Sequence, residues 1–418
     1  MTTSPLLALP GAVQIEGGAI AAHYGDPLRE QRTLAEGAGL VDRSDRDVLA
    51  IPGADRLSWL HSLTSQHLER LADGAGTEAL ILSPQGHVEH HLVLADLDGT
   101  TWADVEPGTG AALHTFLDRM RFMLRVDPRL VTDERAVIGL VGPTATDVLT
   151  AAGLPVPDAL YEVRALDEGL VRRMPGIGDG DSTVFDLVLE RTALRAVADR
   201  LLAAGATPAG FDAYEALRVE ARRPRFGVDT DHRTIPNELP WLTTAVHLDK
   251  GCYRGQETVA RVHNLGRPPR RFVLLHLDGV SEVLAEPGTP VLAGTREVGR
   301  VGTVVRHHEL GVVALALVKR SVSGDAALTV AGSTASQSRA VAATSSTVTG
   351  SAGTSAFADS APVGATVMRV PAVEVGCVTG RSSQTARRAR ARGRLCPRCP
   401  RCSRPGRRGR RRRLRSRP

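Results

Sequence analysis

The stretch Lys250-Gly-Cys-Tyr-Arg-Gly-Gln-Glu257 places a thiol, an ammonium, a guanidinium, a carboxamide and a carboxylate within eight residues. A thiol works as nucleophile or redox group mainly as its thiolate, and cations two residues to either side, Lys250 and Arg254, would lower the pKa of Cys252 if their side chains converge on it. Gly251 and Gly255 carry no Cβ and so admit backbone close to a bound group. An isolated cysteine reads first as a small buried hydrophobe, but this crowding favours a working thiol. Cys252 and Lys250 are therefore the candidate catalytic residues. The chain has only Lys250 and Lys319 beside 50 arginines, and a compact, titratable ammonium is a role Arg cannot fill.

Working outward, 418 residues predict two or three folded units with ample core. The composition, 42% hydrophobic and only 3% aromatic, is that of a globular chain packed with Ala, Val and Leu. No apolar run reaches the roughly 18 residues of a membrane span, and Pro5–Val13 has two prolines and no preceding basic residue, so neither insertion nor export is expected. The net charge of +6 suggests a nucleic-acid binder until it is located: sixteen arginines and no acid lie in residues 384–418, leaving residues 1–383 at −10. Counterion-driven binding depends on where charge sits, so nucleic acid is a partner only through that tail. Cys252 is the sole cysteine of the first 376 residues, which points to a reducing compartment, and a cytoplasmic location is expected.

Upstream of the signature, Val48–Ile51 reads as a strand and Ala54–Thr64 as a helix. Ala79–Ser83 and His91–Ala95, with turns at Pro84-Gln-Gly86 and Asp98-Gly99, predict a β-meander. Thr109–Leu124 has helical spacing. A second αβ unit follows: strands at Val137–Val141 and Phe185–Glu190, helices near Ala145–Ala152 and Thr192–Ala204, and a helix Phe211–Arg222 stopped by Pro224. Residues 224–264 lose period, as site-forming loops do. From Arg270, four short strand-like runs predict a small all-β or barrel-like domain. The expected organisation is 12–135 and 136–266 as two αβ parts of one region, 267–335 as a barrel, and 336–418 as a Ser/Thr/Ala/Gly-rich then Arg-rich tail with little stable packing.

The eight-residue segment resembles the signature of the YgfZ family of folate-binding proteins. These are relatives of the glycine-cleavage T-protein, an aminomethyltransferase, and support iron–sulfur protein assembly. Gly39-Leu-Val-Asp-Arg-Ser44, Arg218-Val-Glu-Ala-Arg-Arg-Pro-Arg-Phe-Gly-Val-Asp229 and Pro236-Asn-Glu238 extend the likeness over residues 12 to 320. The resemblance implies an α+β, T-protein-like body around a central folate cavity, capped by a C-terminal β-barrel. It further implies tetrahydrofolate or a derivative as cofactor and iron–sulfur proteins or their assembly machinery as partners, including enzymes that modify tRNA. Glu220 matches the position at which that fold sets an acid against the pterin, where a carboxylate can accept two hydrogen bonds. Asp229, Tyr253, Arg254, Gln256 and Glu257 complete the candidate cofactor-binding set, and Glu238 is a further possible lining residue. Where a T-protein has an acidic pair after its Gly-rich turn, this chain reads Gln85-Gly-His-Val-Glu-His-His91, with His90 and His91 in the matching places. That departure leaves an aminomethyltransferase and a non-catalytic folate-binding module as alternatives to an accessory protein with a working thiol.

The remaining motifs favour plainer readings. His90 and His91 on one strand point to opposite faces, so no metal site is expected from them with His87 and Glu89. Asp42, Asp45 and Asp47 lack calcium-loop spacing and read as a solvated turn. Gly176-Ile-Gly-Asp-Gly180 opens no helix and reads as a loop. Cys396, Cys399 and Cys402, with Cys377, admit a zinc or iron–sulfur reading or that of a poorly selected extension.

Overall fold

Alternation and turn chemistry build the first sheet. In the computed structural model, which describes residues 2–178, 182–281 and 283–338, strands Ala75–Leu82, Val88–Leu97 and Thr100–Val105 form an antiparallel meander. Asp98 and Gly99 turn between the last two with φ of 50° and 74°. Asp47–Pro52 and then Arg129–Leu130 extend the sheet to five strands. Helices Arg56–Leu63 and Gly110–Met120 cover one face, burying Trp59, Leu60, Leu113 and Leu117 against Leu49, Ile51, Leu92 and Leu94. The second helix ends four residues before the expected Leu124, because Phe122 turns the chain out at φ 48° and leaves Met123 98% exposed.

The second sheet has six strands in the order Val163–Leu166, Gly169–Met174, Thr183–Glu190, Arg135–Gly142, Gly39–Asp42, Thr207–Ala209. Only the last pair is parallel. A division at residue 135 therefore misses one crossing, since Gly39–Asp42 comes from the first segment and pairs with Arg135–Gly142. Along Thr183–Glu190 the period of two sends Phe185, Leu187 and Leu189 to the core under helices Ala145–Ala151 and Leu194–Ala203, while Val184, Asp186 and Val188 face the other way. Val137, Leu170 and Val188 meet Val48, Ala50 and Ala95 of the first sheet.

Strands Arg270–Leu277, Pro290–Ala293, Arg296–His307, Gly311–Lys319, Leu328–Val330 and Ser333–Gln337 close a six-stranded barrel, two strands more than expected and running past residue 335. Helix Phe211–Glu220 packs Ala216 and Val219 on Leu274, Val305, Val313 and Leu315 of this barrel. The stretch read as aperiodic holds helix Gln256–Leu265, whose one fully buried residue is Val259. The expectations for Cys377, Cys396, Cys399, Cys402 and the Arg-rich tail lie outside the described residues.

Candidate functional site

Helix Phe211–Glu220 has two working faces. Positions 211, 214, 215 and 218 share one stripe at helical spacing, and Phe211, Tyr214, Glu215 and Arg218 line a central cavity with Arg43, Asp45, Arg46, Glu106, Asp186 and Arg225. Glu220 lies off that stripe, and its carboxylate meets His307 Nε2 of the barrel at 3.2 Å. It borders a small separate hollow with Glu36 and His308. Glu220, expected to face the pterin, thus points to the barrel, and the buried carboxylate presented to the central cavity is Glu215.

The floor of the cavity is a ladder of alternating charges. Arg43 Nη1 lies 2.7 Å from Asp186, whose second oxygen lies 3.0 Å from Arg172 Nη2. Arg172 reaches Asp104 at 2.5 Å, and Asp104 accepts from Arg46 Nε at 2.6 Å. Arg46 continues to Glu106 at 2.8 Å, Glu106 to Arg225 at 3.0 Å, and Arg225 to Glu215 at 2.9 Å. Glu215 holds Arg218 through Nε at 2.7 Å and Nη2 at 3.0 Å, and Arg218 Nη1 ends on Asp229 at 2.9 Å. Charges this deep persist only when paired and hydrogen-bonded. Although burial pushes the Glu215 carboxyl up, Arg218 and Arg225 hold it below the usual carboxylate range. Asp229 also accepts from Thr303 N at 2.7 Å, so it ties the floor to the barrel and is absent from the cavity lining.

Asp45 stands apart. No hydrogen-bond donor reaches its carboxylate among the described residues, and burial pushes it up to about 6, against the pull of Arg46. Arg43 and Arg46, its chain neighbours, are committed to the ladder. The solvated-turn reading fails here because the turn after Gly39–Asp42 is folded into the molecule. The signal available in the sequence was the alternation of charge in Asp42-Arg-Ser-Asp-Arg-Asp47 directly after a wholly apolar run.

The signature residues do not converge on this cavity. Lys250 is buried and donates to the backbone carbonyls of Thr64 at 2.8 Å, Gln66 at 2.9 Å and His61 at 2.5 Å; burial pulls its pKa down to about 8. Arg254 pairs with Glu89 at 2.8 Å near the surface. Tyr253 is buried in a core with Leu80, Leu82 and Trp241; Gln256 Nε2 donates to the Lys250 carbonyl at 3.2 Å; Glu257 is exposed. Cys252 is an exposed free thiol. The expected convergence of Lys250 and Arg254 on Cys252 is therefore corrected: each cation is spent on another partner. Gly255 serves the chain itself, at φ 82°, where a Cβ would lie 2.5 Å from the Ser83 carbonyl.

His91 faces the cavity, stacked on Trp241 with ring centroids 4.4 Å apart, and its Nε2 lies 3.0 Å from Glu78. Burial pushes Glu78 up, but His91 and Arg223 outweigh it and hold the carboxyl at about 2, so His91 Nε2 carries the proton and donates. His90 has a buried, unpartnered Nδ1, and burial pulls it down to about 4. His61, His67 and Glu69 bring ligand atoms within 4.8 Å of one another, a cluster the sequence reading missed. His61 Nδ1 already accepts from Leu68 N at 3.2 Å, which puts the ring proton on Nε2 and opposes metal ligation through either nitrogen.

The free core of the central cavity is about 60 Å³. That is room for a few waters and well below the roughly 300 Å³ of ordinary ligand pockets. A wider groove of about 920 Å³ runs between residues 227–238 and the barrel, lined by Asp231, Arg233, Arg270 and Arg300 but by no aromatic ring other than His87 and His232. The central cavity instead has Phe211 and Tyr214 as walls, both half-buried and so able to move over a fixed ionic floor.

Residues 21–250 match the GCVT N-terminal domain, and residues 270–345 match the CAF17 C-terminal beta-barrel domain. An aminomethyltransferase of Synechococcus is 28% identical over 305 residues, covering 69% of this chain and 81% of that protein. One from Methylococcus capsulatus is 26% identical over 284 residues, 66% of this chain and 74% of the relative. A chloroplastic protein of Arabidopsis thaliana named as a transferase is 26% identical over 281 residues, covering 63% of this chain; the chain spans only 61% of that relative. The solved structure of glycine cleavage system aminomethyltransferase T from Bartonella henselae covers 80% of this chain and 95% of its own length at a TM-score of 0.70 and 21% identity, a likeness of fold.

Proposed function

Because the chain belongs to the YgfZ/CAF17 family, a GCVT domain followed by a CAF17 β-barrel, we propose that it is a folate-binding accessory protein of the cytoplasm that supports iron–sulfur cluster assembly or repair, including enzymes that modify tRNA. The barrel joined to the GCVT body is the observation that carries this reading. His90 and His91 support it from the side of chemistry, since neither offers the carboxylate an aminomethyl transfer would use.

The central cavity suits tetrahydrofolate by chemistry: Phe211 and Tyr214 give ring walls, and Asp45 is a carboxylate without a donor. Its size requires that the half-buried rim, Phe211, Tyr214 and Arg223, give way while the ladder stays fixed. Asp45 and the two rings would hold the folate, which supplies one-carbon chemistry when bound. Cys252, exposed and away from that cavity, is available to a protein partner, and this is the role we assign to it.

Complementation of a strain lacking its own YgfZ-type protein tests the reading, together with calorimetric titration of tetrahydrofolate. Wild type should restore iron–sulfur enzyme activity and bind folate, and Cys252→Ala should bind folate but fail to complement. Full complementation by Cys252→Ala would leave a folate module without a working thiol. The relatives named aminomethyltransferase keep one rival reading: release of ammonia from an aminomethylated lipoyl carrier in the presence of tetrahydrofolate would establish it in place of ours.

A further inference from the structure

Among the described residues eleven large apolar side chains are exposed, and four of them fall within nine residues: Phe122, Met123, Leu124 and Leu130. Phe122 is 79% exposed, and Met123 more so. Apolar exposure gathered at one point marks a surface that another molecule covers. We propose that the loop from Arg121 to Arg125 is a docking tip for a protein partner that offers an apolar slot rimmed by carboxylates, and that this contact brings the partner to Cys252. The inference rests on the accessory-protein reading, in which Cys252 serves a protein partner, and deepens it by naming where and by what chemistry that partner binds.

The tip is anchored on both sides. Trp59 Nε1 donates to the carbonyl of Met120 at 2.9 Å before it, and Asp127 N donates to the carbonyl of Pro52 at 3.0 Å after it. Asp55 holds Arg125 three times, accepting from its N at 2.9 Å, its Nε at 3.1 Å and its Nη2 at 2.6 Å. Between these fixed points Phe122 adopts φ 48°, a left-handed conformation that a bulky residue keeps only where its surroundings impose it. A tip already set in shape gives up little conformational freedom on binding. The helix that ends in the tip, Gly110–Met120, also reaches the neighbourhood of the thiol. It carries Phe116 one turn before Met120, and the guanidinium of Arg254, two residues from Cys252, lies 5.7 Å from the centre of the Phe116 ring.

Charge selects the partner. Residues 118–130 hold four arginines and two aspartates, a net of +2, within the first 383 residues that sum to −10. Arg121 and Arg129 share Asp127 at 3.4 and 3.6 Å, Arg125 has Asp55, and Arg119 is exposed with no ion pair among the described residues. A second copy seated on a two-fold axis through the tip would set these arginines against their own counterparts. An anionic lipid surface would attract the rim and repel the acidic remainder of the body. A protein slot with carboxylates at its edge meets both the apolar centre and the basic rim, and aromatic, Met and Arg side chains are the anchors such interfaces favour.

The test is complementation by the full chain as wild type, as Phe122→Ser with Met123→Ser, as Phe122→Leu with Met123→Leu, and as Arg119→Glu. Thermal melts, sedimentation, and flotation with phosphatidylserine/phosphatidylcholine vesicles accompany it. We expect the serine pair to lower the restored iron–sulfur enzyme activity at least about fivefold, the leucine pair to stay within about twofold of wild type, and Arg119→Glu to fall between them, all with unchanged melts. Should the serine pair not fold, Met123→Asp repeats the test at a side chain that the core does not hold. Complementation by the serine pair at the wild-type level overturns the inference and leaves the accessory reading in place. Failure of the leucine pair as well overturns it too, since the apolar surface would then not be what matters. A wild-type dimer that the serine pair dissolves gives the tip to a second copy, and vesicle binding that the serine pair abolishes gives it to lipid; either result overturns the inference. A wild type that does not complement removes the accessory reading and the inference with it.

Discussion

The ammonium of Lys250 lies 2.8 Å from the carbonyl oxygen of Thr64, just past the C-terminus of helix Arg56–Leu63. With its bonds to His61 and Gln66 it satisfies carbonyls that the helix end leaves without partners, and its charge complements the negative end of the helix dipole. Lys250→Met should therefore destabilise the protein by about 2 to 3 kcal/mol in urea unfolding. The alkylation rate of Cys252 should stay within about twofold of wild type. A tenfold slower thiol in a folded Lys250→Met protein would show that the ammonium does activate it.

Arg172 is the most buried arginine of the ladder, 1% exposed between Asp104 and Asp186. Arg172→Met leaves two carboxylates in the inter-sheet layer with a missing partner, a loss on the order of 3 to 5 kcal/mol. Adding Asp104→Asn should recover part of that loss, because it removes one of the stranded charges. Denaturant midpoints of the two single variants and the double variant measure the coupling, and strictly additive losses would show that the ladder does not act as a connected network.

What could be read in advance depended on whether sequence neighbours are also spatial neighbours. The meander was legible because Pro84-Gln-Gly86 and Asp98-Gly99 sit between alternating strands, and helix Phe211–Glu220 because Pro224 stops it. The hairpin Val163–Leu166 with Gly169–Met174 escaped notice because Arg172 and Arg173 look like solvent-facing charge, whereas one of them is fully buried. The signature's crowding of polar groups misled for the same reason in reverse. Gly255 turns the chain at φ 82° into a helix, and Lys250, Tyr253 and Arg254 leave that turn for a helix end, a hydrophobic core and Glu89. The cavity itself is assembled from residues 43 to 225, and no short window of sequence contains it.

Glu215 and Glu220 lie five residues apart on one helix and should behave oppositely. Glu220→Gln keeps an acceptor for His307, so tetrahydrofolate affinity should stay within about twofold of wild type. Glu215→Gln removes the charge that Arg218 and Arg225 share, and should weaken binding at least tenfold through a disordered cavity floor. Calorimetry on both variants decides the matter. Loss of binding in Glu220→Gln alone would put the pterin on the barrel side of the helix.

Asp45 gives a stability test that needs no ligand. Its carboxyl titrates at about 6 in the folded protein against 3.8 for an unperturbed one, so between those values the native state holds more protons than the unfolded chain. Stability from this group is then greatest below about pH 4, falls as the pH rises through 6, and stays lower at neutral pH, where an ionised carboxylate sits half-buried without a protein donor. Asp45→Asn removes the ionisation and should raise stability at pH 8 by on the order of 2 kcal/mol, with the advantage vanishing by pH 4. Urea midpoints of both proteins across that range read it directly. A variant that gains nothing at pH 8 would mean that solvent or a neighbouring donor already satisfies the ionised carboxylate of Asp45 in the folded protein.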